Sequence, residues 1–153
     1  MKEQHKNPTP TVDVIIEEDA QILLIKRKKE PYKNHLALPG GFVNEGEKVE
    51  DAAKREVLEE TSLAIELIDI LGVYSDPGRD PRGHNMSTVF IGRSNHKGNK
   101  IKAVANDDAL GLEWINIETV GDKSLGFDHK RIILDYKRWR KFGGTFWSSK
   151  HVV

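Results

Sequence analysis

The glutamates of one short segment have the spacing to bind a metal ion. Glu56, Glu59 and Glu60 stand at positions i, i+3 and i+4, and residues three or four apart are neighbours on one face of an α-helix. Carboxylates this close repel one another unless a cation lies among them. A few carboxylates, completed by water and substrate phosphates, are the usual way in which proteins bind Mg²⁺. The spacing therefore predicts a magnesium site for phosphate chemistry. The alternative is a solvated helical face on which Arg55 pairs with Glu59.

A longer motif surrounds these glutamates in residues 41–63, GFVNEGEKVEDAAKREVLEETSL. It resembles the signature of the Nudix hydrolases, G-x5-E-x7-R-E-U-x-E-E-x-G-U, in which U is a bulky aliphatic residue. Eight of the nine fixed positions match, namely Gly41, Glu47, Arg55, Glu56, Val57, Glu59, Glu60 and Leu63. Ser62 replaces the last glycine of the signature. That glycine follows the helix, where left-handed backbone angles are common, so a serine there is expected to cost about 1 kcal/mol. We refer to residues 41–63 as the Nudix box.

The resemblance implies a role for the polar residues of the Nudix box. Arg55 would orient and pair with two carboxylates, those of Glu56 and Glu47. The cation would be Mg²⁺, with Mn²⁺ as an alternative, and it would be held by Glu56, Glu59, Glu60 and Gly41. A bound metal ion lowers the pKa of a coordinated water and so makes hydroxide available near neutral pH.

The motif leaves the general base open, because Nudix hydrolases recruit it either from the box or from a downstream acidic loop. The candidates are Glu56, Glu113, Asp107 and Asp108. For Asp107 and Asp108 the alternative is a turn in which an aspartate side chain caps the backbone. Glu113 lies beside Trp114 in a short predicted strand, where a structural role is the alternative.

The segment after the box is the candidate for substrate recognition. Residues 75–84, SDPGRDPRGH, hold Arg79, Arg82 and His84 between prolines and glycines, and arginine is suited to bidentate phosphate recognition. The alternative is a surface loop whose arginines pair with nearby aspartates. The loop is similar to that of the ADP-ribose pyrophosphatase subgroup of Nudix hydrolases, which has a proline about fifteen residues after the box. Pro77 occupies that position.

Two further features are candidates for nucleotide binding. Arg27 precedes the box and would contact a phosphate or a ribose, although it is one cation in a lysine-rich stretch that is otherwise expected to be solvated. Adenine requires an aromatic or apolar shelf, for which Tyr32, Phe42 and Tyr74 are candidates. Packing in the core or on the surface is the alternative for each ring.

Composition limits the classes of function. The chain has 153 residues, 24 basic and 24 acidic side chains and no cysteine. The length is that of a single domain with a proper core. The balanced charge argues against nucleic acid as a main partner, and the missing cysteines exclude disulfides and thiol catalysis. Since the N-terminus has no apolar signal segment and no run is long enough to span a membrane, we expect a soluble, cytoplasmic protein.

The pattern of apolar residues predicts an α/β (α+β) fold. β-branched runs at 12–17 and 21–26 predict a hairpin, and strands are expected at 36–38, 64–74, 86–93 and 113–117. Helical periodicity covers residues 49–61 and 128–141. The expected organisation is a flexible lead-in at 1–10, one domain at 11–142 and a tail at 143–153. The resemblance implies an α/β/α sandwich around a mixed sheet, with the box forming a loop–helix–loop.

Three functions are compatible with these features. The first is a magnesium-dependent hydrolase that splits ADP-ribose into AMP and ribose 5-phosphate. The second is a hydrolase of nucleoside triphosphates such as 8-oxo-dGTP, which leaves the loop at 75–84 unexplained. The third is a sensor that binds ADP-ribose without cleaving it, but all the box glutamates expected of an enzyme are present. Many ADP-ribose pyrophosphatases are dimers, so the resemblance also allows a homodimer.

Overall fold

The computed structural model describes residues 4–95 and 109–151. The strands are β1 (Thr9–Glu18), β2 (Gln21–Arg27), β3 (Leu36–Ala37), β4 (Gly40–Phe42), β5 (Ile65–Tyr74), β6 (Asn85–Ser94), β7 (Ala109–Asn116) and β8 (Phe146–Trp147). The helices are α1 (Val49–Thr61) and α2 (His129–Phe142), and a short 3₁₀ helix spans Val120–Asp122. In the described part of the chain, neither α-helix is long and apolar enough to cross a membrane.

The strands form a mixed sheet. Its order is β3-β2-β1-β6-β5-β8, while β4 pairs with β1 and β7 pairs with β2. β1 runs parallel to β6 and antiparallel to β4. As a result, the residues of β4 lie beside β1, with Gly40 opposite Asp13 and Gly41 opposite Val12. This pairing brings the first residue of the Nudix box to the centre of the sheet.

Alternate residues of the central strands point to two separate apolar layers. In β1, Val14 and Ile16 pack with Val57 of α1, whereas Ile15 packs with Ile132 of α2. Because successive side chains of a strand point to opposite faces, the two helices cover opposite faces of the sheet. The predicted α/β/α sandwich is therefore confirmed.

Most of the predicted elements are confirmed. The hairpin is formed by β1 and β2, α1 has the predicted bounds of 49–61, and α2 differs from its prediction by one residue at each end. β7 begins four residues earlier than predicted, at Ala109, and β8 lies in the segment expected to be a tail. Phe146 of β8 is buried against the α2 layer. Its two-residue strand was too short to give a periodic signal.

The helix of the box ends as its sequence predicts. Ser62 follows α1 with φ 62° and ψ 12°, and its N–H bonds to the carbonyl of Leu58. These are left-handed angles, which a glycine adopts without a steric cost and a serine does not. The replacement of the signature glycine therefore strains the backbone immediately after Glu59 and Glu60.

Candidate active site

A cavity of about 290 Å³ lies between strand β4 with the residues just before it, helix α1, the 75–84 loop and the start of α2. Its walls carry both signs of charge. The acidic side chains are Asp13, Glu30, Glu56, Glu60 and Asp80, and the basic ones are Arg27, Lys28, Lys29, Arg79 and Arg82. The cavity thus brings the box carboxylates of Glu56 and Glu60 together with the arginines of the 75–84 loop.

Arg55 joins the two ends of the Nudix box. Its Nε and Nη2 donate to the carboxylate of Glu47 at 2.8 and 3.0 Å, and Nη1 donates to Glu56 at 2.8 Å. Nη2 also donates to the carbonyl of Phe42 at 2.9 Å. The hydrogen bonds from Arg55, and then that from the Asn44 backbone, lower the pKa of Glu47 to about 2. Arg55 therefore holds Glu56 in place while Glu47 stays ionised.

Glu56 and Glu60 form a carboxylate pair that lacks a full set of partners. Burial, followed by the charge of Glu56, raises the pKa of Glu60 to about 9. Burial also raises the pKa of Glu56, against the opposing effect of Arg55. The Oε2 atom of Glu60 is buried without a hydrogen-bond partner among the described residues. A buried carboxylate oxygen needs a hydrogen-bond donor or a cation, so this oxygen is suited to a cation or a water as its partner.

Gly41 lies against this pair in the cavity wall. A Cβ atom built on Gly41 would lie 2.5–2.6 Å from the carboxylate of Glu56, so only glycine allows the carboxylate to approach the backbone this closely. Within residues 4–95 and 109–151, no group of three His, Asp or Glu side chains is already arranged around a metal-sized centre. The side chain of Glu59 is 53 % exposed and lies 3.3 Å from Arg55. Of the three predicted carboxylates, the structure brings Glu56 and Glu60 together and turns Glu59 toward Arg55.

Arg79 lies in the cavity wall but is held by protein acceptors. Its Nε and Nη2 donate to Asp128 at 3.0 and 2.8 Å, Nη1 donates to Asn85, and Nη2 lies 3.5 Å from Asp13. Its side chain is only 3 % exposed. The guanidinium therefore ties the 75–84 loop to α2 and β1, and its bidentate partner is an aspartate.

Arg82 and His84 are more accessible. Arg82 pairs with Asp80 at 2.7 Å, and its guanidinium carbon lies 5.6 Å from the ring centre of Phe42 and 5.9 Å from that of Phe127. His84 lies 2.8 Å from the carbonyl of Ser75 through Nε2. Both residues also line a second cavity of about 460 Å³, which adjoins the first along Phe42 and Arg82.

The aromatic candidates separate into two kinds. Tyr74 was a wrong candidate for the adenine shelf, because it is fully buried and donates to Asp135 at 2.8 Å. Phe42 is half exposed and lines the cavity. Tyr32 packs edge-on against Phe127, with 4.8 Å between ring centres. The guanidinium of Arg27 lies 4.9 Å from the ring centre of Phe127, and its Nε donates to the carbonyl of Pro31 at 2.7 Å.

The candidates for the general base lie in different places. Glu56 lines the cavity. Glu113 is exposed on β7 opposite Leu24, and in the part of the chain that is described it does not belong to the cavity wall. Asp107 and Asp108 lie outside the described residues.

Several polar residues in or beside the cavity were not among the predicted site residues. Asp13 accepts from Ser87 at 2.6 Å and lies 3.4 Å from Nε2 of His129, whose Nδ1 accepts from the N–H of Leu38 at 3.0 Å. Burial would raise the pKa of Asp13, but His129, Arg79 and Ser87 together lower it. One signal was available for Asp13. It is a single carboxylate within the apolar run 12–16, and a charge in a buried strand must have partners.

Fold and site together define an α/β protein with a pair of box carboxylates in an arginine-lined cavity. The family model described as the NUDIX domain matches residues 7–136. The chain therefore belongs to the Nudix family, as the box predicts.

Known proteins extend this assignment. The chain is 50 % identical over 134 residues to an ADP-ribose pyrophosphatase of Methanocaldococcus jannaschii, covering 88 % of this chain and 76 % of that one. It is 29 % identical to an ADPR-responsive transcriptional repressor of Acinetobacter baylyi, covering 86 % of this chain and 54 % of the repressor. Among solved structures, a bifunctional NMN adenylyltransferase/ADP ribose pyrophosphatase of Francisella tularensis, complexed with AMP and a manganese ion, superposes with a TM-score of 0.75. It is 30 % identical and covers 94 % of this chain and 44 % of that one.

Proposed function

We propose that this protein is a Mg²⁺-dependent Nudix hydrolase that splits the pyrophosphate of ADP-ribose, with water, into AMP and ribose 5-phosphate. The observation that carries the proposal is the partly buried Glu56–Glu60 pair, which has one unpartnered oxygen among the described residues and lines a cavity together with arginine and lysine. A pyrophosphate bears negative charge on both sides of the bond to be broken, so it requires cations on both sides. The similarity to the M. jannaschii enzyme supports ADP-ribose as the substrate.

The cation would be held on the box side of the cavity. Glu56, Glu60 and the backbone of Gly41 adjoin the open space there. Glu59 is one turn away on the same helix and reaches this space by rotation about its side-chain bonds. Bound Mg²⁺ or Mn²⁺ would neutralise charge on the phosphoryl oxygens and acidify a coordinated water. Arg55 fixes the orientation of Glu56 through its hydrogen bonds to Glu47, Glu56 and Phe42.

Glu56 is the proposed acceptor of the proton from the attacking water. It lines the cavity, and its pKa is raised by burial toward the range in which a carboxylate is an effective base. Arg55 counteracts part of this shift through its hydrogen bond and its charge. The position of Glu113 on the exposed side of β7 makes it a weaker candidate.

The other wall would bind the two halves of the substrate. Arg82 and Arg27 present guanidinium groups to a phosphate or a ribose, and His84 lies at the adjoining cavity. Phe42 and Phe127, whose ring centres lie 5.6 and 5.9 Å from the Arg82 guanidinium, offer rings against which adenine would stack. Arg79 would serve as the anchor of the loop, because its donors already meet protein acceptors.

Turnover across a panel of substrates tests the proposal. The purified protein is incubated with Mg²⁺ or Mn²⁺ and with ADP-ribose, NADH, diadenosine polyphosphates, nucleotide sugars or 8-oxo-dGTP, and the products are separated by chromatography. We expect AMP and ribose 5-phosphate from ADP-ribose at the highest kcat/KM. A preference for the triphosphate would agree with the proposed metal site but contradict ADP-ribose as the substrate. Binding of ADP-ribose without turnover of any compound would instead favour a sensor, the function named for the A. baylyi relative.

A homodimer is proposed as the assembly. Ile68, Ile70 and Val73 of β5 are exposed, and Val73 lies opposite the half-exposed Trp147 of β8. Exposed apolar side chains that share a sheet edge are typical of protein interfaces. Light scattering after gel filtration measures the mass directly, and a mass of 17.3 kDa would exclude the dimer.

A further inference from the structure

A buried histidine outside the box contacts the backbone of the turn that leads into the cation site. Leu38 is 2 % exposed, and its N–H donates to Nδ1 of His129 at 3.0 Å. A buried backbone N–H must find an acceptor, and here the acceptor comes from a helix 91 residues further along the chain. His129 therefore fixes one end of residues 38–41.

The hydrogen bond also defines the state of the imidazole ring. A nitrogen that accepts a hydrogen bond carries no proton, so Nδ1 is unprotonated and Nε2 bears the hydrogen. Nε2 lies 3.4 Å from Oδ1 of Asp13. Asp13 is itself held by the hydroxyl of Ser87 at 2.6 Å and by Arg79 at 3.5 Å. The ring is thus oriented on both sides, by Leu38 and by Asp13.

The turn between these contacts has almost no freedom to shift. A Cβ atom on Gly40 would lie 2.1 Å from the carbonyl oxygen of Val12 and 2.7 Å from Oδ1 of Asp13. The next residue, Gly41, lies against the carboxylate of Glu56 in the same way. A displacement of the turn away from β1 would therefore move Gly41 relative to Glu56.

We infer that His129 is a positioning residue, which acts through the N–H of Leu38 to hold residues 38–41 against Glu56 and Glu60. Asp13 selects the tautomer of His129 that can accept this hydrogen bond. The inference rests on the proposed function, because it assigns His129 to the same cation site. Groups that orient the immediate surroundings of a metal site typically alter affinity or activity by about 10–100-fold when replaced.

Two conservative substitutions separate positioning from packing. His129→Asn places an amide oxygen at the same number of bonds from the backbone as Nδ1, so it can still accept from Leu38. His129→Gln places its amide near Nε2, so it keeps the contact with Asp13 and loses the acceptor. The readouts are the dissociation constant of Mn²⁺, the exchange rate of the Leu38 amide by NMR, and kcat and KM for ADP-ribose with Mg²⁺.

We expect His129→Gln to weaken Mn²⁺ binding and to lower kcat by about tenfold each. KM should stay within about threefold, since the substrate wall is unchanged. The Leu38 amide should exchange faster in this variant, and His129→Asn should restore all three quantities toward the wild type. Equal values in both variants, whether both normal or both reduced, would overturn the inference.

A measurement on the unaltered protein does not depend on the folding of a variant. Nitrogen chemical shifts of the His129 imidazole report which ring nitrogen carries the proton, and we expect Nδ1 to be unprotonated. A protonated Nδ1 cannot accept from Leu38 and would overturn the inference. If ADP-ribose proves not to be a substrate, the Mn²⁺ affinity, the amide exchange and the ring tautomer still test His129, while the proposed function fails separately.

Discussion

Glu60 on one wall of the cavity is partly buried and Arg79 on the other is buried, and these two ionisable residues differ in their partners. Glu60 has an oxygen without a partner among the described residues, and its pKa is raised to about 9. Arg79 donates to Asp128 and Asn85 and lies 3.5 Å from Asp13. A buried charge that lacks partners needs a ligand, whereas one that has them already stabilises the fold. The difference supports the proposal that the box binds the cation, whereas Arg79 anchors the loop through its hydrogen bonds.

The largest effect that tests this comparison is the loss of turnover on Glu60→Gln. The substitution removes the charge that would bind the cation. Because a bound cation stabilises the transition state by several kcal/mol, kcat should fall by about 10³-fold. Steady-state kinetics with Mg²⁺ and ADP-ribose measure it. Glu50→Gln, at an exposed position in the first turn of the same helix, is the matched control, and its kcat should equal that of the wild type. A Glu60→Gln enzyme with near-normal kcat would remove Glu60 from the cation site.

The next largest expected effect is a loss of stability when Arg79, on the other wall of the cavity, is replaced. Arg79→Met leaves Asp13 and Asp128 without their cation, and breaking a buried pair in this way costs about 3 kcal/mol. Urea denaturation monitored by circular dichroism measures the free energy of unfolding. If Arg79 instead binds a phosphate of the substrate, the variant will keep its stability and lose affinity for ADP-ribose.

Arg82→Ala is the control for Arg79→Met. Arg82 is 48 % exposed in its side chain, so its removal should change the free energy of unfolding by less than about 1 kcal/mol. Its loss should raise KM for ADP-ribose about tenfold, and by less for a nucleoside triphosphate. Equal increases in KM for both substrates would show that Arg82 does not select the substrate.

Metal-free protein should show the raised pKa of Glu60 as a dependence of stability on pH. The pKa of Glu60 is about 9 in the folded protein against 4.5 as its ordinary value, so the folded state keeps a proton that the unfolded chain releases. The stability that this group contributes is therefore complete below about pH 4.5 and is lost progressively as the pH rises from there toward 9. Chemical denaturation in a chelator at several pH values measures this loss.

Two controls assign the pH dependence to Glu60. In Glu60→Gln the loss of stability above pH 4.5 should be much reduced, while in Glu59→Gln it should persist, because that carboxylate is half exposed. Added Mg²⁺ should restore the stability of the wild-type protein at high pH, since a ligand that binds only the folded state stabilises it. An unchanged pH dependence in Glu60→Gln would assign the effect to another group.

The box was predictable from the sequence because its chemistry depends on local spacing. The bounds of α1, the Arg55–Glu47 and Arg55–Glu56 contacts and the left-handed angles of Ser62 all follow from residues close in the chain. The partners of Arg79 and His129 were not predictable, because the sheet and the start of α2 bring them together from 49 and 91 residues away. Tyr74 failed as an adenine candidate for the same reason, since its partner Asp135 is 61 residues distant.

The smallest predicted effect separates stability from chemistry on the helix that carries Glu60. Ser62 has φ 62° at the end of α1, and Ser62→Gly should raise the free energy of unfolding by about 1 kcal/mol by relieving the left-handed strain. Because the residue lies beyond the last box glutamate and forms its cap through backbone atoms, kcat and KM should remain those of the wild type. Urea denaturation and steady-state kinetics on the same preparation measure both. A gain in kcat would mean that the strain at Ser62 is transmitted to Glu59 and Glu60, and the conformation of the helix end would then belong to the catalytic site.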